Sequence, residues 1–389
     1  MIFNQYMQAQ DSTLSQIDSA TRQKDIIDVA KSWFGIKDKQ KYDSVRSNKK
    51  FHFSILPAPA AVPGGGAAFA TSTNMAFYLG PPSTTALSNI TFTPYTNFGG
   101  RFVFPLRSNI WFKNNNWNMV TDMRYMIYPQ YSWGLGGNTP EENKSLINYD
   151  YLRLHGNILR RIGRRLLFGG GFEFDHHFSI ELDSGANHGN TIYEDSIGKN
   201  STSSGFVVNL LYDSRKNALN PQGGWYFSLE TRFNQTVFGS DKNWNQLYVD
   251  VRKYFSFSRK RQDKLAFWTY LWSVMYGRAP YLDLPSIGWD TYGRSGRGYL
   301  QNRYRSNALL YFESEYRRDI TRDGLLGFVL FANLHSVTEY RTSTFTYWHP
   351  AGGFGLRFKL NKYSGTNITL DYGFSKTYNG LYLNIGETF

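Results

Sequence analysis

Arg297 stands between two glycines in the run Gly296-Arg297-Gly298-Tyr299, and the segment that follows carries Glu313 and Glu315 on one face. A guanidinium offers a planar fork of donors that two carboxylates can share, so this spacing predicts a holding site and not a bond-making one. Glycine on both sides permits the sharp tip that such an arginine needs. Chemistry of other kinds finds little support. The chain has no cysteine, which removes thiolate metal sites and cysteine nucleophiles. A hydrolase would need Ser or Thr with His and an acid or amide at one spot. The seven histidines are scattered and none adjoins such a cluster. Asp175, His176 and His177, with Glu181 and Asp183, could hold a divalent cation bridging lipid phosphates. A solvated stretch at the start of a long outer loop is the plainer reading. Gly169-Gly170-Gly171 lacks the Lys and the strand-to-helix context of a phosphate loop and fits a crowded wall. We therefore expect no enzyme activity, no metal and no cofactor.

What must position these residues is set by the distribution of apolar side chains. Aromatics make up 17% of 389 residues, yet mean hydropathy is −0.47 and no run of 18 apolar residues exists. Membrane-spanning helices are thereby excluded. The apolar residues alternate instead. Ile368 to Ser375 alternates without error; Phe354, Leu356, Phe358 and Leu360 alternate with Gly355, Arg357 and Lys359; Leu247, Val249 and Val251 alternate with Tyr248, Asp250 and Arg252. Period two in segments of about ten residues or more is what a wall with lipid outside and water inside requires. The expected fold is an all-β, 16-stranded antiparallel transmembrane β-barrel over residues 51–389, preceded by a periplasmic N-terminal segment, residues 1–50.

The expected strands lie near 51–58, 67–79, 87–96, 100–113, 117–132, 147–160, 165–178, 205–215, 224–236, 244–257, 264–277, 305–318, 324–336, 347–360, 365–376 and 379–389. Connections at 113–116, 258–263, 321–324 and 361–365 are short, and those at 133–146, 179–204 and 278–304 are long. Short periplasmic turns against long outer loops match outer-membrane barrels. In the N-terminal segment, Ser12 to Phe34 reads as one amphipathic helix, with Ser12 able to cap it and Gly35 to end it. A basic stretch from Lys37 to Lys50 follows. The helix would lie at the membrane surface or in the barrel mouth, or else be a frayed leader. No signal peptide is visible. The net charge of +13 would suggest nucleic acid in a soluble protein, but here it fits a polar lumen and the anionic head groups at both rims.

Three stretches together resemble one family, the bacterial surface antigen barrels of the outer-membrane assembly-factor superfamily (BamA/TamA type). Asp213-Ser214-Arg215, with Asn220-Pro221 and Gly223-Gly224-Trp225, resembles that family's periplasmic turn. Gly277 to Arg305, with Arg297-Gly298-Tyr299 at its tip, resembles the long inward-folded loop. Phe312 to Arg317 resembles the strand that carries its carboxylates. The resemblance implies that Arg297 latches the loop, with Glu315 first and Glu313 second as partners. Two positions depart from the pattern: Gly296 replaces an aliphatic residue, and Asn333 stands where an acid on the next strand is usual. Phe389 ends an alternating final strand, as an assembly signal for a newly exported barrel would.

Fifty residues cannot hold even one POTRA repeat beside the helix, so a barrel without such repeats is expected. The resemblance implies a weak seam between first and last strands, and Pro57 and Pro59 leave the first strand with missing donors. Through that seam the barrel would act in membrane-protein insertion, translocation or local bilayer remodelling. Its expected partners are outer-membrane lipids, lipopolysaccharide included, and client or periplasmic proteins. A passive pore is the alternative reading, and a lipid hydrolase a remote third.

Overall fold

A computed structural model describes residues 23–35, 51–62, 66–182, 197–215, 217–258, 263–291, 293–362 and 365–389. Alternation in the sequence becomes one antiparallel sheet of eighteen segments. They are β1 Phe51–Val62, β2 Gly66–Phe77, β3 Ser88–Phe92, β4 Tyr95–Asn97, β5 Phe102–Trp111 and β6 Trp117–Ile127. Next come β7 Gln130–Ser132, β8 Ser145–Arg161, β9 Leu166–Leu182, β10 Ser201–Asp213, β11 Gly224–Asn234 and β12 Trp244–Ser258. The last six are β13 Asp263–Gly277, β14 Ala308–Asp319, β15 Leu326–Val337, β16 His349–Asn361, β17 Thr366–Phe374 and β18 Asn379–Ile385.

Eighteen segments stand where sixteen strands were expected because two expected strands are each broken. β3 and β4 both pair with β2 and with β5, and Pro94 lies in the gap between them. β6 and β7 both pair with β8 across a gap at Tyr128-Pro129. Proline has no amide hydrogen to give the ladder, so a strand that meets one is interrupted there.

The pleat sorts the side chains as the sequence requires. On β12, Asp250, Arg252 and Tyr254 are buried on the inner side, whereas Phe255 on the outer side is 42% exposed. Other outward residues, among them Phe168, Phe206, Phe267, Phe312 and Phe354, are exposed too. An exposed aromatic row outside with buried ion pairs inside is the inverse of a soluble core.

Boundaries move where packing overrides pattern. β1 is longer than expected: it runs through Pro57 and Pro59 to Val62 and pairs with β2 over its whole length. Toward β18 it makes a single described pair, Ala61 with Leu383, so the sheet is not hydrogen-bonded shut into a barrel there. β18 stops at Ile385, and Phe389 is not on the final strand. Asp175, His176 and His177 lie inside β9 and not at a loop's start.

Of the expected N-terminal helix, the stretch from Ser12 to Arg22 lies outside the described residues, as does everything from Ile36 through the basic run. The described helix, α1, is Ile26–Trp33, capped by Asp25. Asp25 and Asp28 form a capping box, with the Asp28 amide donating to the Asp25 carboxylate at 2.9 Å. The same pair fastens α1 to the turn after β16, because Lys362 donates its amide to Asp25 (3.1 Å) and its ammonium to Asp28 (2.9 Å). Gly35 follows the last turn at φ +65°, as a helix-ending glycine does.

Amide exchange should separate the seam from the rest of the wall. The β1 amides directed away from β2 are expected to exchange at least roughly tenfold faster than those shared by β12 and β13. Equal protection at the two places would mean that β1 and β18 are paired in solution.

Candidate functional site

The connection between β13 and β14, residues 278–307, does not run over the rim but across the lumen. Near its start, Tyr281, Leu282 and Leu284 pack with Ile147, Tyr149 and Tyr151 of β8. Near its end, Tyr299 and Tyr304 pack with Tyr311 of β14 and Val337 of β15. Counted around the sheet, those two patches lie on opposite walls. Between them the Thr291 carbonyl accepts from Arg124 of β6 at 2.9 Å. Asp290 braces the turn, accepting from the amides of Arg294 (3.0 Å) and Ser295 (2.7 Å).

Arg297 is at the tip and is 2% exposed. Its φ-positive neighbours, Gly296 at +76° and Gly298 at +101°, make the tip possible. At Gly298 a Cβ would also lie 2.8 Å from that of Ala351. One arm of the guanidinium donates to both Glu313 and Glu315 of β14. The other donates to Asp371 of β17 at 2.6 Å. The plane lies over the Phe331 ring, 3.6 Å from its centroid. Asn333 holds the backbone of the tip, donating to the Arg297 carbonyl at 2.8 Å. Tyr299 donates to the Pro350 carbonyl at 2.8 Å.

The sequence brought Arg297, Gly298, Tyr299, Glu313, Glu315 and Asn333 to notice, and the fold brings them together. The third carboxylate was missed. Asn333 does replace the acid on β15, but Asp371, two strands further on, takes its charge role. The signal was present: Asp371 occupies an inward position in the errorless alternation of Ile368 to Ser375.

Arg297 is one member of a closed circuit of alternating charges. Glu315 also accepts from Arg317 at 2.6 Å. Arg317 lies 3.7 Å from Glu387, and Glu387 accepts from Arg357 at 2.8 Å. Arg357 also pairs with Asp371, which returns the circuit to Arg297. Burial opposes charge on Glu387, but Arg357 and Arg317 outweigh it and hold that carboxyl well below the usual range.

Glu387 reaches this position because the chain turns inward after β18. Asn367 donates to its side chain at 2.6 Å. Arg294 of the loop donates to the carbonyls of Ile385 (3.1 Å) and Glu387. Phe389 is buried against Tyr254 and Trp268, beneath Arg317. Arg317 also donates to the Phe389 carbonyl at 3.0 Å. Phe389 therefore faces the lumen from beyond the last strand, where the sequence had placed it on that strand. The Gly298 amide donates to the Tyr382 hydroxyl of β18 at 2.8 Å, so the loop grips the last strand at two levels.

A second charged cluster lies under the start of the loop. Asp175 of β9 accepts from His155 (2.8 Å) and Arg153 (3.2 Å) of β8, and Arg232 of β11 pairs with it and with Glu173. His176 points the other way, to Thr202 at 3.0 Å, so the sequential trio is split between two faces. Glu181 lies at the far end of β9, and Asp183 is outside the described residues. Among the described residues no group of three His or acidic side chains forms a metal site. From the loop, Asp283 enters this cluster and accepts from Ser203 at 2.6 Å. Burial, then the charge of Asp175, pushes its carboxyl up to about 7.

The turn motif is structural. Arg215 bonds Asp213 through two nitrogens, at 3.0 and 2.8 Å, and stacks over Tyr226. Asn220 accepts from Lys264 (2.8 Å) and donates to the Gly365 carbonyl (3.0 Å), with buried Pro221 beside it. Gly224 sits at φ +109°, where a Cβ would press on the Ser214 carbonyl at 2.7 Å.

Searches against family models and against curated proteins match nothing. Solved structures do match. BamA from Haemophilus ducreyi lacking POTRA domains 1-3 aligns with a TM-score of 0.53 at 12% identity, over 87% of this chain and 69% of that one. Its fold is that of the BamA and CdiB barrels. CdiB from Acinetobacter baumannii aligns with a TM-score of 0.57 at 12% identity, over 87% of this chain and 60% of that one. CdiB from Escherichia coli gives 0.58 at 10% identity, over 87% and 63%. The BamA/TamA-type resemblance read from three motifs is thus met by backbone similarity at an identity too low to produce it by sequence. The chain spans less than two thirds of the length of either CdiB.

Two outcomes follow from the geometry. Arg297→Ala leaves Glu313 without a cation and takes one of two from Glu315 and Asp371, and is expected to destabilise the barrel by about 3–5 kcal/mol. Urea titration by heat-modifiable mobility would measure it, with faster proteolysis of the loop; an unchanged midpoint and cleavage rate would exclude the latch. For Asp283 the folded value lies above the ordinary carboxyl value of 3.8. Docking is then least opposed below pH 4, and the opposition grows as pH rises toward 7, because the undocked carboxyl ionises first. Loop proteolysis should be slower at pH 5 than at pH 8 in the natural protein and show no such difference in Asp283→Asn.

Proposed function

We propose that this chain is a non-enzymatic integral outer-membrane barrel that acts through a lateral seam between β1 and β18, on a client protein or on the bilayer itself. The observation that carries the reading is the mismatch at that seam. β1 has twelve register partners on β2 and one on β18. Meanwhile β18 is held from inside by Arg294 and Gly298 of the loop. An unpaired strand edge in a membrane is costly unless something pairs with it or the bilayer thins beside it. An incoming strand or a deformed bilayer would meet that need.

The short connections would face the periplasm, as is usual for such barrels. That places α1 on the periplasmic side, fastened to the turn after β16. Expected partners are outer-membrane lipids, lipopolysaccharide included, and a client or periplasmic protein. The loop crossing the lumen, anchored on both walls, favours this reading over a passive pore.

The absence of native cysteine makes the test clean. Ala61→Cys with Leu383→Cys places one disulfide at the seam's described pair. In liposomes, the oxidised pair is expected to lose the protein's ability to speed insertion of a urea-unfolded barrel client and its leakage of a trapped dye, and reductant should restore both. Equal rates in oxidised and reduced samples would rule out lateral opening.

A further inference from the structure

On the outer face, register pairing sets Trp225, Lys253, Phe267, Ser314 and Ala332 in one row across β11 to β15. Small side chains at Thr269, Ser314 and Ala332 lie among larger ones, and the result is a groove of about 670 Å³. Its lining is mostly apolar, with the hydroxyls of Thr269 and Ser314; Glu313 and Asn333 border it but turn their side chains inward to Arg297, which leaves Lys253 as the one charged group on the outer side. Lys253 is on the outward side of β12, between buried Arg252 and Tyr254. Its ammonium sits 4.4 Å from the centre of the Trp225 ring and 4.7 Å from that of Phe255. Among the described residues no carboxylate pairs with it, in a protein whose luminal arginines are nearly all matched with acids.

A lysine directed at lipid costs about 2–4 kcal/mol at mid-bilayer and little at the interface. Lys253 lies five residues before Ser258, the end of β12 that leads into a short connection, so its chain can extend the ammonium toward head-group level while its stem covers the groove. The surroundings add to the field. The seven connections at that end carry ten Lys or Arg and one acid, Asp323, whereas the opposite end is nearly balanced. The net positive charge is thus gathered at one rim and not shared between two, as composition alone had suggested. A second pair repeats the arrangement at the same end, with Arg160 over the Trp117 ring at 5.6 Å.

We infer that the Trp225–Lys253 groove is a binding site for an anionic glycerophospholipid, with one acyl chain along Thr269, Ser314 and Ala332 and the phosphate on Lys253. The site rests on reading the chain as a membrane barrel. A cation alone would suit any anion, but an acyl-sized apolar groove ending at the cation selects a lipid over free phosphate.

The test uses the full chain in detergent, titrated with phosphatidylglycerol or phosphatidylcholine and followed by native mass spectrometry. Phosphatidylglycerol is expected to be retained over phosphatidylcholine. Lys253→Gln should weaken phosphatidylglycerol retention roughly fivefold, the worth of one interfacial cation, and leave phosphatidylcholine unchanged. Ser314→Phe, which fills the groove, should weaken both lipids, and millimolar inorganic phosphate should displace neither. Retention of phosphatidylglycerol by a folded Lys253→Gln equal to that of the natural protein would overturn the site, as would displacement by phosphate. A chain that stays monodisperse without detergent would instead overturn the membrane reading, so the two failures can be told apart.

Discussion

A single guanidinium with three carboxylates around it, all shut away from bulk water, sets the terms for the interior. A buried charge without partners costs several kcal/mol, and a set of carboxylates without a cation costs more. Arg297 and its acids therefore constrain one another. The arginine is on a loop, one partner pair on β14 and the third on β17, so satisfying the charges fixes the loop against four strands of wall. The lumen would otherwise be a wet space with a long untethered connection. Alternation of sign around the circuit, from Arg297 through Glu315, Arg317, Glu387, Arg357 and Asp371, spreads the compensation so that no member depends on one contact alone.

Much of this was legible in the sequence, for a physical reason. Period-two alternation is forced on every strand with a dry side and a wet side, so β12, β16 and β17 announce themselves residue by residue. Glu313, Glu315 and Arg317 were placed inward by the same rule. What the sequence does not carry is which inward residue meets which, once strands are several places apart around the sheet. Asp371 and Arg357 were visible as inward and polar, but nothing local ties them to Arg297. The ends of elements were the other weak point. The last four residues continue the alternating pattern of β18, yet Glu387 finds two arginines inside, and that attraction overrides the pleat. Asp175 and His177 were read as solvated although they fell within the expected strand 165–178, because nothing local shows that Asp283 of the loop packs over that part of β9.

The two faces divide their labour by charge. Inside, cations are matched by acids and serve cohesion. In the short connections lysine and arginine outnumber acids ten to one, so the excess positive charge of the sequence gathers at that rim. Composition reports their sum and cannot say which are which; only the pleat and the connection lengths separate them. The same separation explains how a chain of low mean hydropathy can present an apolar belt, because the hydrophilic half of each strand is hidden from lipid.

Because Gly386 to Phe389 curl back into the cavity, this stretch is an internal part and not a loose tail. Any fusion appended after Phe389 would have to start among Arg317, Tyr254 and Trp268, displacing the phenyl ring or threading out past it. A change that removed Glu387 would take away the acid that joins Arg317 to Arg357, and the ring of charges would stand open at that point.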